Sequence, residues 1–252
     1  MTTTTDPQSH RGPIMGKPAF RAPTPCGTDQ NLSAGREPTQ MGWYNWIAGR
    51  HPGADFLDVG AGTGKGMEVL YKQGAGRIRG FDTDDRLRAI PGILTGTSPL
   101  LTFGPKSADI VTCLDVIEHV VEDLVLFGEL LKIARRAVYI STPNYDRSHC
   151  INRHHCREYT IPEFLSIYQP DELWVASPDG WHSMTMLVQK VTSGWPTTTT
   201  PPSGQEPSPE IGYGCPITFE QFPLQISPDT VFNQGSPDGL VWAHYCGIFF
   251  PA

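Results

Sequence analysis

Basic residues are scarce in this chain: 19 Lys and Arg stand against 26 Asp and Glu, for a formal charge of −7. That balance argues against a nucleic-acid partner, because neutralising a phosphate backbone takes a basic face. Long apolar runs are missing too. No stretch approaches the roughly 20 residues of a membrane-spanning helix, and the start MTTTTDPQSHRG has neither the basic nor the apolar region of a secretory signal. Cysteine is sparse. The six, Cys26, Cys113, Cys150, Cys156, Cys215 and Cys246, are too irregularly spaced for a disulfide framework across 252 residues. The expectation is a reduced, soluble, cytoplasmic protein.

What is present changes along the chain. Residues 1–40 are rich in Thr, Pro and Gly without periodicity and read as an extended arm. Residues 41–190 alternate strand-like and helix-like patterns. Residues 191–210 (VTSGWPTTTTPPSGQEPSPE) bury little apolar surface and read as a linker. Residues 211–252 turn apolar and aromatic again, which suits a C-terminal docking segment.

Within the central region, Phe56–Gly60 is a short apolar run closing on Gly, the mark of a buried strand. Gly64–Gly74 spaces Met67, Val69, Leu70 and Tyr71 as a helix does. Arg77–Asp82 predicts a second strand, 84–90 a short helix, Ala108–Val116 a third strand and Glu122–Ala134 an amphipathic helix. Ala137–Thr142 is a further strand, stopped by Pro143, and Glu172–Ala176 with Met184–Lys190 forms a final pair. Trp43, Tyr44 and Trp46 read as core anchors of an N-terminal helix. Strands alternating with helices imply a mostly parallel α/β sheet covered on both faces. Ligands of such sheets sit at the carboxyl ends of the strands, where Gly60, Asp82, Asp115 and Asn144 fall.

The loop FLDVGAGTGKG decides the ligand class. A phosphate-binding P-loop needs Gly, four residues, then Gly-Lys-Ser/Thr. Here the first position is Val59, and Gly66 follows Lys65, so the hydroxyl for magnesium is missing. A dinucleotide fingerprint needs a sixth-position glycine, which is Lys65. What remains is G-x-G-x-G at Gly60, Gly62 and Gly64, with Asp58 two positions ahead. Small residues let the backbone close over a ligand, and a carboxylate at a strand end meets a cationic head directly or through water. Asp82, ending the next strand, is placed to take both ribose hydroxyls.

FLDVGAGTGKG, GFDTDD and ADIVTCLDVIEHV resemble the glycine loop, ribose acid and fourth-strand motif of class I S-adenosylmethionine-dependent methyltransferases. The likeness is closest to the small-molecule type related to quinone-biosynthesis methyltransferases, and STPN with HCREYTIPEFL extends it over residues 41–190. It implies a Rossmann-like, seven-stranded, mostly parallel sheet with its last strand antiparallel, and S-adenosyl-L-methionine as cofactor. By this resemblance Asp58, Gly60, Gly62 and Gly64 hold the methionine part, Asp82 the ribose, and Asp115 lines the pocket. One departure stands out. The acid that meets the adenine amino group in many members falls here in Gly96-Thr97-Ser98, where Thr97 and Ser98 are the available substitutes.

His119 matches the family's histidine after the fourth strand; it reads as organising that loop in preference to direct proton transfer. The segment SHCINRHHCREYT is dense in His and Cys, but no second pair lies at finger-like spacing, so no metal is expected. Two readings of it stand level. His155, Arg157 and Tyr159 orient or deprotonate an acceptor oxygen, or Arg157 pairs with Glu158 while Tyr159 packs in the core. The expected activity is methyl transfer to a small-molecule, glycan or lipid-like acceptor. Its catalytic candidates are His155, Tyr159 and His119, and its cofactor residues Asp58, Gly60, Gly62, Gly64, Asp82, Thr97 and Asp115. The alternative is a structural or interaction component of a larger assembly, such as a virion, that reuses the fold. In either case the terminal arms suit a homo-oligomer or a larger assembly.

Overall fold

The computed structural model describes residues 38–145, 154–177, 186–189, 218–222 and 244–249. Helix α1, Pro38–Arg50, buries Trp43, Tyr44, Ile47 and Ala48, which share one helical face. Strand β1, Phe56–Val59, is buried at all four positions, as expected of an inner strand covered on both sides. Then follow α2 (Lys65–Lys72), β2 (Ile78–Asp82), a 3₁₀ turn at Asp85–Ala89, β3 (Ile93–Thr95) and α3 (Pro99–Thr102). After β4 (Ala108–Leu114), a 3₁₀ turn at Ile117–His119 leads to α4 (Asp123–Ile133), which passes without a connecting residue into β5 (Ala134–Pro143).

These five strands form a parallel sheet in the order β3-β2-β1-β4-β5. β1 lies at its centre, with Asp58 opposite Gly80 of β2 and Thr112 of β4. Packing over the sheet is largely one cluster, in which Phe56, Leu57, Ile110, Val111, Val138 and Ile140 are fully buried. Burial of this kind contributes roughly 25 cal/mol per Å² of apolar surface, which offsets the backbone entropy of ordering the strands.

Helix α5, Ile161–Tyr168, is fixed at its start by a reciprocal capping box. The Thr160 hydroxyl accepts from the Glu163 amide, and the Glu163 carboxylate accepts from the Thr160 amide. Four further strands are described: β6 (Glu172–Ser177), β7 (Met186–Gln189), β8 (Thr218–Phe222) and β9 (His244–Phe249). β9 runs antiparallel to both β5 and β6, with Gly247 opposite Ile140 and Leu173. β7 pairs with β9. β8 pairs with β6 and runs antiparallel to it. The arm 1–37 and the linker 191–210 lie outside the described residues. No helix among the described residues is long and apolar enough to cross a membrane.

Candidate functional site

The turn between β1 and α2 is built on left-handed glycines. Gly60, Gly62 and Gly64 have φ of 76°, 51° and 77°, a region that costs an L side chain roughly 1–2 kcal/mol. At Gly60 a Cβ would also stand 2.3 Å from a methyl of Val116. The amides of Gly60 and Ala61 both donate to the Phe81 carbonyl, at 2.8 and 3.1 Å, which ties the loop to the end of β2.

Asp82 locks the same junction from its side chain. One carboxylate oxygen accepts from the Gly62 amide at 2.8 Å and the other from the Asp84 amide at 3.0 Å. Each carboxylate oxygen keeps a further acceptor site. Asp58 lies beneath the loop, fully buried, and accepts from the hydroxyls of Tyr44 (2.9 and 3.1 Å) and Thr112 (2.8 Å). Tyr44 is thus both a core anchor and a partner of Asp58. Its ring fills the space that a Cβ at Gly66 would need, 2.2 Å away, which explains the fourth glycine of the stretch.

Asp115 follows β4 directly in the left-handed region, φ 55°. Its amide donates to the Ser141 hydroxyl at 2.7 Å, and the hydroxyl donates back to its carboxylate at 2.5 Å. Acids therefore mark the C-terminal ends of three adjacent strands, β1, β2 and β4. Thr97 is exposed beyond β3, whereas Ser98 donates to both oxygens of Glu129 at 2.6 Å.

The catalytic candidates separate. Tyr159 is 1% exposed and packs edge-on against Phe164 and Tyr168, with its hydroxyl donating to Asp123. Arg157 pairs with Glu163 at 3.1 Å, not with Glu158. His119 and His155 do come together, their ring centres 4.6 Å apart at near-right angles. His119 Nδ1 is 3.1 Å from the His154 carbonyl, and His155 Nδ1 is 2.5 Å from Glu158 Oε1. Burial, with the neighbouring His155, brings His119 down to about 4, so its neutral form prevails at pH 7. Glu118 joins them, 1% exposed; burial and then the Asp115 charge push its carboxyl well above the usual carboxylate range. Nothing in VIEHV announced a buried acid, since Glu118 follows two apolar residues in a turn too short to show a period.

Residues 42–181 match the model of a family described as a methyltransferase domain. The chain belongs to that family. Among curated proteins the chain is 28% identical over 121 residues to a ubiquinone biosynthesis O-methyltransferase of Bordetella bronchiseptica, a match covering 42% of this chain and 50% of that protein. The chain thus spans about half the length of this relative. Solved structures with a similar backbone include an S-adenosylmethionine-dependent methyltransferase from Archaeoglobus fulgidus, with 16% identity and a TM-score of 0.49 over 63% of this chain and 77% of that one. Another, from Mesorhizobium loti, has 17% identity and a TM-score of 0.38 over 51% and 80%.

Proposed function

We propose that this methyltransferase-family chain transfers a methyl group from S-adenosyl-L-methionine to a small-molecule, glycan or lipid-like acceptor. The observation that carries the reading is the row of carboxylates at the ends of β1, β2 and β4 around a glycine turn. Such a site attracts a ligand with cationic centres and repels the pyrophosphate of a dinucleotide. Asp58, Gly60, Gly62 and Gly64 would hold the methionine part, Asp82 the ribose, Thr97 the adenine edge, and Asp115 the pocket wall. When bound, the cofactor supplies an electrophilic methyl on sulfur. The protein's share is to hold an acceptor atom in line and to exclude water. Of the candidates His155, Tyr159 and His119, the two histidines would receive an acceptor proton, a reading supported by the meeting of their rings; the Tyr159 hydroxyl donates to Asp123.

The seven-stranded sheet is part of the same proposal. Its support is the run β3-β2-β1-β4-β5-β9-β6, in which β9 is antiparallel to both neighbours, within a sheet that β7 and β8 extend to nine strands. A reducing, cytoplasmic setting belongs to the same proposal; its support is the sparse, irregular cysteine spacing and the buried Cys113. Nothing among the described residues favours the assembly-component alternative. Calorimetry tests the assignment: heat is expected with S-adenosylmethionine and S-adenosylhomocysteine and none with NAD or ATP. Tight NAD binding without a response to S-adenosylmethionine would overturn it.

A further inference from the structure

Helix α4 is apolar on more than the side it buries. Leu130 and Ile133 are buried, and Leu124, Leu126, Phe127 and Leu131 pack partly against the core. A second row, Glu122, Val125, Gly128 and Lys132, recurs at the three- and four-residue spacing of one helical face. Val125 on that row is 59% exposed. Leu101 is 81% exposed on α3, which α4 adjoins through the Ser98–Glu129 contact.

Gly128 needs a reason. A glycine inside a helix weakens it relative to alanine, yet a Cβ at this position would meet nothing within 4 Å. The chain's own packing therefore does not require it. A second helix brought close to this face does, because the missing side chain leaves a hole for a neighbour's side chain.

Charge decides which helix that is. Glu122 and Lys132 close the two ends of the row, about 15 Å apart along the axis. Both are exposed, and among the described residues neither side chain has an ion-pair partner. A two-fold contact lays one patch against itself, so it needs a row whose charge reverses from end to end. This row does. Laid antiparallel on a copy of itself, each Glu122 meets a Lys132 and each Val125 falls beside a Gly128. A parallel contact would set like charges together.

We propose that the outward face of α4 is a two-fold interface at which a second copy of this chain binds antiparallel, with Leu101 of α3 at its flank. A contact centred on one helix of 11 residues lies at the small end of specific interfaces, roughly 1,200 Å² or less. The dimer is therefore reversible, micromolar and weakened by salt.

Sedimentation equilibrium of the full chain, up to about 0.5 mM, tests the pairing. A monomer–dimer equilibrium is expected. Glu122→Lys and Lys132→Glu are exposed changes that leave the core intact. Each alone sets like charges face to face and should weaken the dimer about tenfold or more. Mixing the two variants restores opposite charges at both ends and should recover association as a heterodimer. Val125→Asp should abolish the dimer, with circular dichroism unchanged. A monomer throughout the range overturns the proposal. A dimer indifferent to Val125→Asp and to both single charge changes overturns it too, since association would then use another surface. Failure of the mixture to recover would rule out the antiparallel two-fold.

Discussion

The Tyr44 hydroxyl donates to both carboxylate oxygens of Asp58, at 2.9 and 3.1 Å, and so joins helix α1 to the end of β1 beneath the glycine loop. Tyr44→Phe keeps the ring and removes this donor from a buried acid, a change worth about 1–3 kcal/mol. S-adenosylmethionine affinity should fall about tenfold or more while circular dichroism stays unchanged. Gly66→Ala attacks the same contact sterically and should lower the unfolding midpoint, since the new Cβ meets the Tyr44 ring. Unaltered affinity in Tyr44→Phe would mean that Asp58 is a structural acid only.

Asp82 and Thr97 make a contrasting pair. Asp82 holds the Gly62 and Asp84 amides, and Thr97 is exposed. Asp82→Ala should cost the cofactor about 1.5–3 kcal/mol, against about 0.5–1.5 for Thr97→Ala, as expected for charge-assisted and neutral hydrogen bonds. Calorimetry of both variants checks this; equal losses would remove Asp82 from the ribose role.

His51 provides a pH signature. It is buried against the Tyr139 hydroxyl, and burial, aided by Arg136 and Arg50, lowers it from 6.5 to about 3. The folded chain keeps it neutral, while the unfolded chain takes up a proton below pH 6.5. Its contribution is therefore fully present above pH 6.5 and is lost as pH falls towards 3, by at most about 1.4 kcal/mol per pH unit. Urea unfolding of the unaltered chain and of His51→Gln should show a shallower acid slope in the variant. Identical slopes would refute the assignment.

Truncation after Thr192 removes β8 and β9. Because β9 lies against both β5 and β6, the shortened chain exposes two strand edges and should unfold more readily and associate. Light scattering and thermal melting read both effects. A stable monomer with unchanged melting would instead support residues 211–252 as a detachable docking segment.

Much of the central sheet was legible because its strands are buried on both faces and read as apolar runs: FLDV, IRGFD and ADIVTCL each end where the structure ends them, to within two residues. β3 was not, since three residues carry no period. The start of α5 is written in the sequence as Thr160, Pro162 and Glu163, a capping signature. The β9 pairing had no local trace, because register between Ile140 and Gly247 is a tertiary choice. In the site, the glycines and strand-end acids announced themselves by spacing. Tyr44 and Glu118 did not, because their importance lies in what faces them across the fold.

The left-handed backbone at Asp115 narrows the sequence space open to that position. Asparagine and glycine tolerate this region, and β-branched residues do not. Asp115→Val would therefore lose a carboxylate and strain a turn at once, and the two effects would be inseparable in any assay. Asp115→Asn removes the charge alone. A saturation library selected at this codon should return Asp, Asn and Gly, with Asn and Gly differing in how much of the Ser141 clasp survives.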